Sequence, residues 1–567
     1  MRKSSVWLFW GLFFPCFNNE SATVLSRAGA TNESRQVSSA AAGKTNILLI
    51  VADDLGYTDL GCFGGDIHTP NIDSLAARGL LFNRYHTAPL CAPTRSMILS
   101  GNNNHIAGMG SMFATDGTPR ANKPGYEHHL SDRIVTVAQL LRDGGYHTFM
   151  AGKWHLGMDP KNIPYAKGFE RSFALLDGGA NHFNNNPIFE NRPPQYRLDS
   201  QSVKFPEGRF STEVYTDEMI DFIRNSGDDA PFFGYLTYTA PHWPLQAPEE
   251  WLDKYKGKYD IGYDSLRVER FRRQKALGII PAGEELPPRL NRIKPWKDLG
   301  AAEKKIESRK MEIYAAMVDN LDKHIGRLIQ YLRDSKRLDN TLIVFMSDNG
   351  AAGEDFYNSS DFGPYLRQHY HNEYENMGKP SSFVAYGPQW AQAGAAPFSL
   401  YKEYPTEGGV NTPLIISGSG VERKPGIQQA FINVMDLAPT FLEIAHVSYP
   451  DEYKGKKVYP QLGESALSFI RGKREVVHDS NYVFCLEHFG GCLLIKGNWK
   501  ITNSSDPFDE RAFGLYNFSA DWGETRDLSR VNPEKFREMM REWEVFKKKA
   551  GILPLEKGER IHLDDNR

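Results

Sequence analysis

The stretch Asn46-Ile47-Leu48-Leu49-Ile50-Val51-Ala52-Asp53-Asp54 decides the fold. Its apolar run carries no alternation of polar and apolar residues. A strand half exposed to water would alternate, so this one is buried on both faces, as in a parallel sheet covered by helices on each side. Two aspartates follow where the strand must end. Thr341–Met346 (TLIVFM) repeats the pattern and runs into Ser347-Asp348-Asn349-Gly350. Phe232–Tyr238, His147–Ala151 and Pro413–Ile416 are shorter strand candidates. Helical periodicity separates them. Val135–Arg142 stops at Gly144-Gly145, and Met311–Leu332 places Tyr314, Met317, Leu321, Ile325 and Leu328 on one face.

This alternation predicts an α/β fold: a large mixed, mostly parallel sheet flanked by helices. The segment Pro248–Lys310, charged and interrupted by Pro287-Pro288, reads as a partly helical excursion outside the core. The C-terminal part differs. Cys492–Thr502 and Phe513–Phe518 read as antiparallel strands. A helix follows, with Asn532 as N-cap, Pro533 at its first position, Glu534 in its first turn and Gly551 as its stop. Phe536, Met540, Trp543 and Phe546 face the core of a smaller C-terminal α+β domain with an antiparallel sheet. The expected division is a signal peptide over 1–30, a linker over 31–43, a catalytic domain over 44–445 and a C-terminal subdomain over 446–567.

The 567 residues are 40% hydrophobic and 24% charged, with a net charge of -3. That balance leaves no electrostatic footprint for nucleic acid and no polybasic membrane surface. Met1-Arg2-Lys3 and the apolar run Val6–Phe17 read as a secretory signal, too short for stable membrane insertion, so the protein is expected to be exported, periplasmic or secreted. Ala28-Gly29-Ala30 is a candidate cleavage site. Five cysteines are few for an exported chain, and the fold does not depend on disulfides. Cys485 and Cys492 flank Gly490-Gly491; a bridge and two free thiols are both compatible with that spacing.

Polar residues gather where the strands end, which is where open parallel sheets bind ligands. Asp53, Asp54, Asp348 and Asn349 are four oxygen donors after two buried strands, a set suited to a hard cation, Ca²⁺ or Mg²⁺. Lys153 and His155 follow a third strand; their side chains point the same way if the strand continues and diverge if it turns. His242 lies between Pro241 and Trp243-Pro244, and Lys402 precedes Glu407-Gly408-Gly409. Leu90-Cys91-Ala92-Pro93-Thr94-Arg95 places a cysteine just ahead of a helix whose first turn accepts proline, with Arg95 one turn on. Free N–H groups there favour an anion. No Gly-x-Ser-x-Gly, His-Glu-x-x-His or phosphate-binding loop is present.

Cys91-Ala92-Pro93-Thr94-Arg95 resembles the sulfatase signature Cys-x-Pro-x-Arg. Val51–Gly56, Ala151–Gly157 and Ser347–Gly350 resemble its companion blocks. The likeness is to bacterial secreted arylsulfatases of the alkaline phosphatase superfamily and runs from Asn46 almost to the C-terminus. It implies an alkaline-phosphatase-like fold and hydrolysis of sulfate monoesters, with a small-molecule or glycan sulfate ester as substrate. It implies that a formylglycine-generating maturation enzyme oxidises Cys91 to 3-oxoalanine (formylglycine). The hydrated aldehyde attacks sulfur and later expels sulfate from a sulfo-enzyme intermediate, assisted by one Ca²⁺. Asp53, Asp54, Asp348 and Asn349 would hold the Ca²⁺, and Asp348 would also accept the nucleophile's proton. Arg95 and Lys153 would hold the hydroxyls of the hydrate, and His155 would take the second hydroxyl's proton. His242 and Lys402 would bind sulfate oxygens and assist the leaving group. A thiolate suits a hard cation poorly, so Cys91 is read as the precursor of the nucleophile. Cys62 and Cys492 depart from the family pattern. The alternative within the superfamily is a phosphonate monoester or phosphodiester hydrolase, which can share the signature; an inactive glycan-binding relative would not need every catalytic position filled.

Overall fold

Asn46–Ala52 forms a strand over its whole expected length, and all seven residues are buried. Its alternate side chains serve two separate layers. Leu48, Ile50 and Ala52 enter one hydrophobic core, while Ile47, Leu49 and Val51 enter another on the opposite face. The sheet is therefore covered on both sides, as the unbroken apolar run requires. A computed structural model describes residues 44–553 except 113–117, 190–191 and 228. The expected signal peptide and the whole of the expected linker lie outside the described residues. No described helix is long and apolar enough to cross a membrane.

Among the described residues the main sheet has ten strands. Their order is Gly426–Gln428, Leu80–Phe82, Leu414–Gly418, Thr341–Ser347, Asn46–Ala52, Phe232–Thr237, His147–Lys153, Arg171–Leu175, Tyr196–Leu198 and Gln201–Val203. The stretch from Thr341–Ser347 to Arg171–Leu175 is parallel throughout. Leu414–Gly418 runs antiparallel to Thr341–Ser347, and the hairpin of Tyr196–Leu198 and Gln201–Val203 closes the other edge antiparallel. The sheet is mixed and mostly parallel, as expected.

Two expectations about the helices change. The helix expected over Met311–Leu332 spans Ala301–Asp334. Its exposed first turns are charged and show no apolar stripe, so periodicity could not reveal them. Pro248–Lys310 is not an excursion outside the core. Trp251, Tyr255, Tyr259, Leu266 and Phe271 from this segment are buried in the first core layer. Arg270, fully buried, ties the segment down by ion pairs to Asp59 and Asp66. Removing one partner of such a pair would leave a charge buried without compensation.

A separate antiparallel sheet lies towards the C-terminus, with strand order Val483–His488, Gly491–Lys496, Trp499–Asn503 and Gly514–Asn517. The helix Pro533–Ala550 packs on it through Met539 and Trp543 and ends at Gly551 in the left-handed region, φ 72°. Asn532 stands at the N-cap position, but its side chain makes no capping hydrogen bond. Cys485 and Cys492 are both free thiols; the register sets Cys485 opposite Leu494 and Cys492 opposite Glu487.

Candidate active site

Four strand ends, the helix that begins at Cys91 and the loop of Lys402 bring the expected residues together at the carboxyl edge of the sheet. Asp53 and Asp54 follow the Asn46 strand, Asp348 and Asn349 follow the Thr341 strand, and all four are buried. Lys153 ends the His147 strand, and His155 follows in a turn with φ 57°. Although the chain turns there, both side chains reach the site. The Lys153 ammonium meets both Asp53 oxygens at 2.9 and 2.7 Å. His155 Nδ1 lies 3.3 Å from Cys91 Sγ.

Cys91 is the first residue of the helix Cys91–Ser100, one position later in the helix than the sequence suggested. All ten residues of that helix are buried. Arg95 stands one turn in, with its guanidinium fully buried and its donors directed inward. Nε and Nη2 donate to Asp348 Oδ2 at 3.0 and 2.6 Å, and Nη1 donates to the Lys153 carbonyl at 2.7 Å. Ligand atoms of Asp53, Cys91 and Asp348 all lie within 4.8 Å of one another, as do those of Asp53, Asp54 and His242.

His242 donates from Nδ1 to the Trp243 carbonyl at 2.7 Å, since a carbonyl can only accept. Nε2 is thereby turned inward, 3.5 Å from Asp54 Oδ2. The Lys402 ammonium meets Asp54 Oδ2 at 2.9 Å and Glu354 Oε1 at 2.6 Å. Asn349 donates to Asp54 Oδ1 at 2.6 Å, and its own buried Oδ1 has no hydrogen-bond partner.

Burial, with Lys153, Arg95 and Lys402 nearby, holds the His155 imidazole well below the usual histidine range. Burial together with Lys153 and Lys402 does the same to His242. Both are neutral at pH 7, so each can take up a proton. Burial also pushes the Cys91 thiol up, against the pull of Lys153. For Asp348 burial opposes ionisation, but Arg95 and Lys153 outweigh it and keep the carboxyl below its ordinary value. Burial likewise opposes the charge on Lys402, and Asp54 and Glu354 overcome it, so the ammonium is firmly protonated.

A sulfatase family model matches residues 45–447. The chain belongs to the sulfatase family. It is 41% identical over 530 residues to an uncharacterized sulfatase of Schizosaccharomyces pombe, covering 90% of this chain and 94% of that protein. It is 41% identical over 427 residues to an arylsulfatase of Klebsiella aerogenes, covering 74% of this chain and 91% of that one. Among solved structures, Ps i-CgsB in complex with k-i-k-neocarrahexaose superposes with a TM-score of 0.63 at 24% identity, over 89% of this chain and 92% of that one. As a member of this family the protein is a sulfuric ester hydrolase.

This sulfatase's site holds residues that sequence reasoning missed. Glu354, buried against Lys402, gave no signal in the sequence, because a glutamate's burial is decided by distant packing. Gly178 and Gly179 did leave one, a glycine doublet after a strand. A Cβ on Gly178 would stand 2.6 Å from the His155 ring, and one on Gly179 would stand 3.2 Å from His242. A cavity of about 370 Å³ opens from Cys91, His155, His242 and Lys402. Its wall is aromatic: Trp243 meets Phe356 and Phe189 with ring centroids 4.9 and 5.2 Å apart, and Phe362 meets Phe189 at 4.9 Å. At its rim Arg192 is paired with Asp177.

Proposed function

We propose that this sulfatase hydrolyses sulfate monoesters of the arylsulfatase type, releasing inorganic sulfate and an apolar alcohol or phenol. In this reading Cys91, converted to formylglycine, supplies the nucleophile, and Asp53, Asp54, Asp348 and Asn349 hold Ca²⁺. The observation that carries it is the position of Cys91. Its Sγ, which marks where the nucleophilic oxygen would stand, lies between the Asp53 and Asp348 carboxylates and an aromatic-walled cavity. Charge-stabilising groups thus face the sulfate, and an apolar wall faces the leaving group.

The donor set fits the cation. All four side chains offer oxygen, all are buried, and Asn349 Oδ1 is an orphaned acceptor among them. Bound there, Ca²⁺ would offset the negative charge of the ester and ease ionisation of the nucleophile. Formylglycine, as its hydrate, would supply two hydroxyls on one carbon, one to attack sulfur and one to lose its proton as sulfate departs.

The chain's own residues do the rest. Arg95 and Lys153, immobilised by Asp348 and Asp53, fix the nucleophile's position and offset charge on the sulfate oxygens. His155, neutral and within 3.3 Å of the nucleophile position, takes a proton at Nδ1. Lys402 presents a fixed positive charge towards the leaving oxygen. His242, neutral with its proton on Nδ1 committed to Trp243, presents an unprotonated Nε2 beside that oxygen and can donate there only after taking up a proton, so Lys402 is the group already protonated. The arylsulfatase name of the 41% identical Klebsiella relative supports the same substrate class.

The test combines mass spectrometry of the peptide containing Cys91 with kinetics on 4-nitrophenyl sulfate and an aryl phosphonate monoester. The expected result is an aldehyde in place of the thiol and a kcat/KM at least about tenfold higher for the sulfate, with a loss of about a thousandfold or more in Cys91→Ala. An unmodified thiol in active enzyme, or a preference for the phosphonate, would overturn the reading.

A further inference from the structure

The C-terminal sheet reaches into the machinery through one buried cluster. Lys500, on the strand Trp499–Asn503, places its ammonium 2.8 Å from Glu407 Oε1 and 2.8 Å from Glu524 Oε1. Glu407 is the first residue of the short helix Glu407–Val410. Its Oε2 accepts from His86 Nε2 at 2.9 Å and from Asn411 at 3.0 Å, and its backbone N–H donates to Glu524 Oε2 at 2.7 Å. The side chains of Glu407, Lys500, Glu524 and His86 are all at least nine-tenths buried. Tyr516, on the neighbouring strand, is a further titratable group near Glu524, and Arg84 and Tyr57 act on Glu407.

The loop leading into that helix carries Lys402. Thr406 Oγ1 and Gly408 N–H both donate to the Ser399 carbonyl, at 2.9 and 3.2 Å, so residues 399–408 close on themselves. The closed loop and the residue after it touch the site at three backbone points. Lys402 N–H donates to the Ala351 carbonyl at 3.0 Å, Glu403 N–H donates to the Pro89 carbonyl at 2.9 Å, and Gly350 N–H donates to the Gly409 carbonyl at 3.0 Å. Pro89 lies two residues before Cys91, and Gly350 follows Asn349. Gly350 is packed so tightly that a Cβ there would stand 2.0 Å from the Gly408 carbonyl oxygen. Glu407 is thus the buried anchor of a segment that faces the nucleophile, the cation ligands and the leaving-group lysine at once. Glu407 is in turn held by Lys500 from a different sheet.

We infer that Lys500 is a positioning residue for hydrolysis: by pinning Glu407 it fixes the loop that presents Lys402 to the substrate. The inference rests on the leaving-group role proposed for Lys402. Lys500 touches no reacting atom. Its effect passes through Glu407 and the loop's backbone contacts. A misplacement of an ångström at a catalytic group is enough to lower turnover by orders of magnitude.

The test is a double-mutant cycle on the full chain with equal formylglycine content, using Lys500→Met, Lys500→Arg and Lys402→Ala. Lys500→Met is expected to lower kcat/KM on 4-nitrophenyl sulfate by about tenfold or more. Lys500→Arg restores most of it. In the Lys402→Ala background, Lys500→Met is expected to cost less than about threefold, because both changes act on one group. Lys500→Met/Glu524→Gln, which relieves the repulsion left between two glutamates, serves if the single variant does not fold. Amide hydrogen exchange supplies an arm independent of activity: exchange over 399–411 should rise while Asn46–Ala52 stays protected. Additive losses in the cycle, or unchanged exchange over 399–411, would overturn the inference. If Lys402→Ala left kcat/KM intact, the role of Lys402 would fall, and the exchange arm alone would decide whether Lys500 holds the loop.

Discussion

At Gly178 the absence of a single carbon makes room for the His155 ring, proposed above as a base. The His155 ring occupies the space a Cβ would need, 2.6 Å away, so Gly178→Ala must push the imidazole off the Cys91 position. The expected outcome is a fall in kcat of about a hundredfold with little change in thermal midpoint, measured on 4-nitrophenyl sulfate. Residues of this kind show which parts of the site a sequence displays. Asp53, Asp54, Asp348 and Asn349 were legible because each pair directly follows a buried strand, and strand ends converge. The spacing of Cys91 and Arg95 carried weight only together with the strand-end residues and the companion blocks. Glu354 was not, since nothing local to Gly353-Glu354-Asp355 says that the middle residue turns inward to Lys402. That Lys153 and His155 both reach the site also needed coordinates. The chain passes through a positive φ at His155, and no residue type there demands one.

The helix Cys91–Ser100 is the element on which the site turns. It has no side-chain N-cap at Leu90 and lies wholly buried, held by the packing of Ala92, Met97, Ile98 and Leu99 and by what Arg95 grips. Lysine cannot reproduce that fork of donors to Asp348 and the Lys153 carbonyl. Arg95→Lys is therefore expected to cost about 2–4 kcal/mol in denaturant unfolding, with loss of activity at temperatures where the variant is still folded. Elements were legible in proportion to their apolar pattern. The central strands and the buried part of Ala301–Asp334 stand out. The charged first turns of that helix and the three-residue strands Leu80–Phe82 and Tyr196–Leu198 do not, because so short or so polar a segment carries no period. The segment 248–310 misled for a related reason: its charge is real, but Arg270 spends its own inside the core on Asp59 and Asp66.

Across the whole molecule, buried neutral histidines make the fold sensitive to acid. Burial lowers His182 and His324 to about 4 and His488 to about 3, from 6.5. A histidine depressed in the folded state binds fewer protons there than in the unfolded chain. Its stabilising contribution is present above pH 6.5 and is lost as the pH falls towards the folded value. Each such group contributes a slope of up to about 1.4 kcal/mol per pH unit. The thermal midpoint is expected to drop steadily from about pH 6 to pH 4, and His488→Gln should flatten that drop. Glu524 acts in the other direction. Burial raises it to about 7, so its contribution is lost as the pH rises from 4.5 to about 7, and Glu524→Gln should remove that loss in the same titration.

The aromatic wall of the cavity has a consequence of its own. Phe189, Phe356 and Phe362 come from loops, whereas the carboxylates, Lys153 and the Cys91 helix are held by the sheet and its two core layers. The cavity wall and the charged cluster are therefore supplied by separate parts of the chain. Loop exchange between relatives can redraw the first without disturbing the second, so kinship in the signature residues foretells the bond that is cut far better than the alcohol that is released.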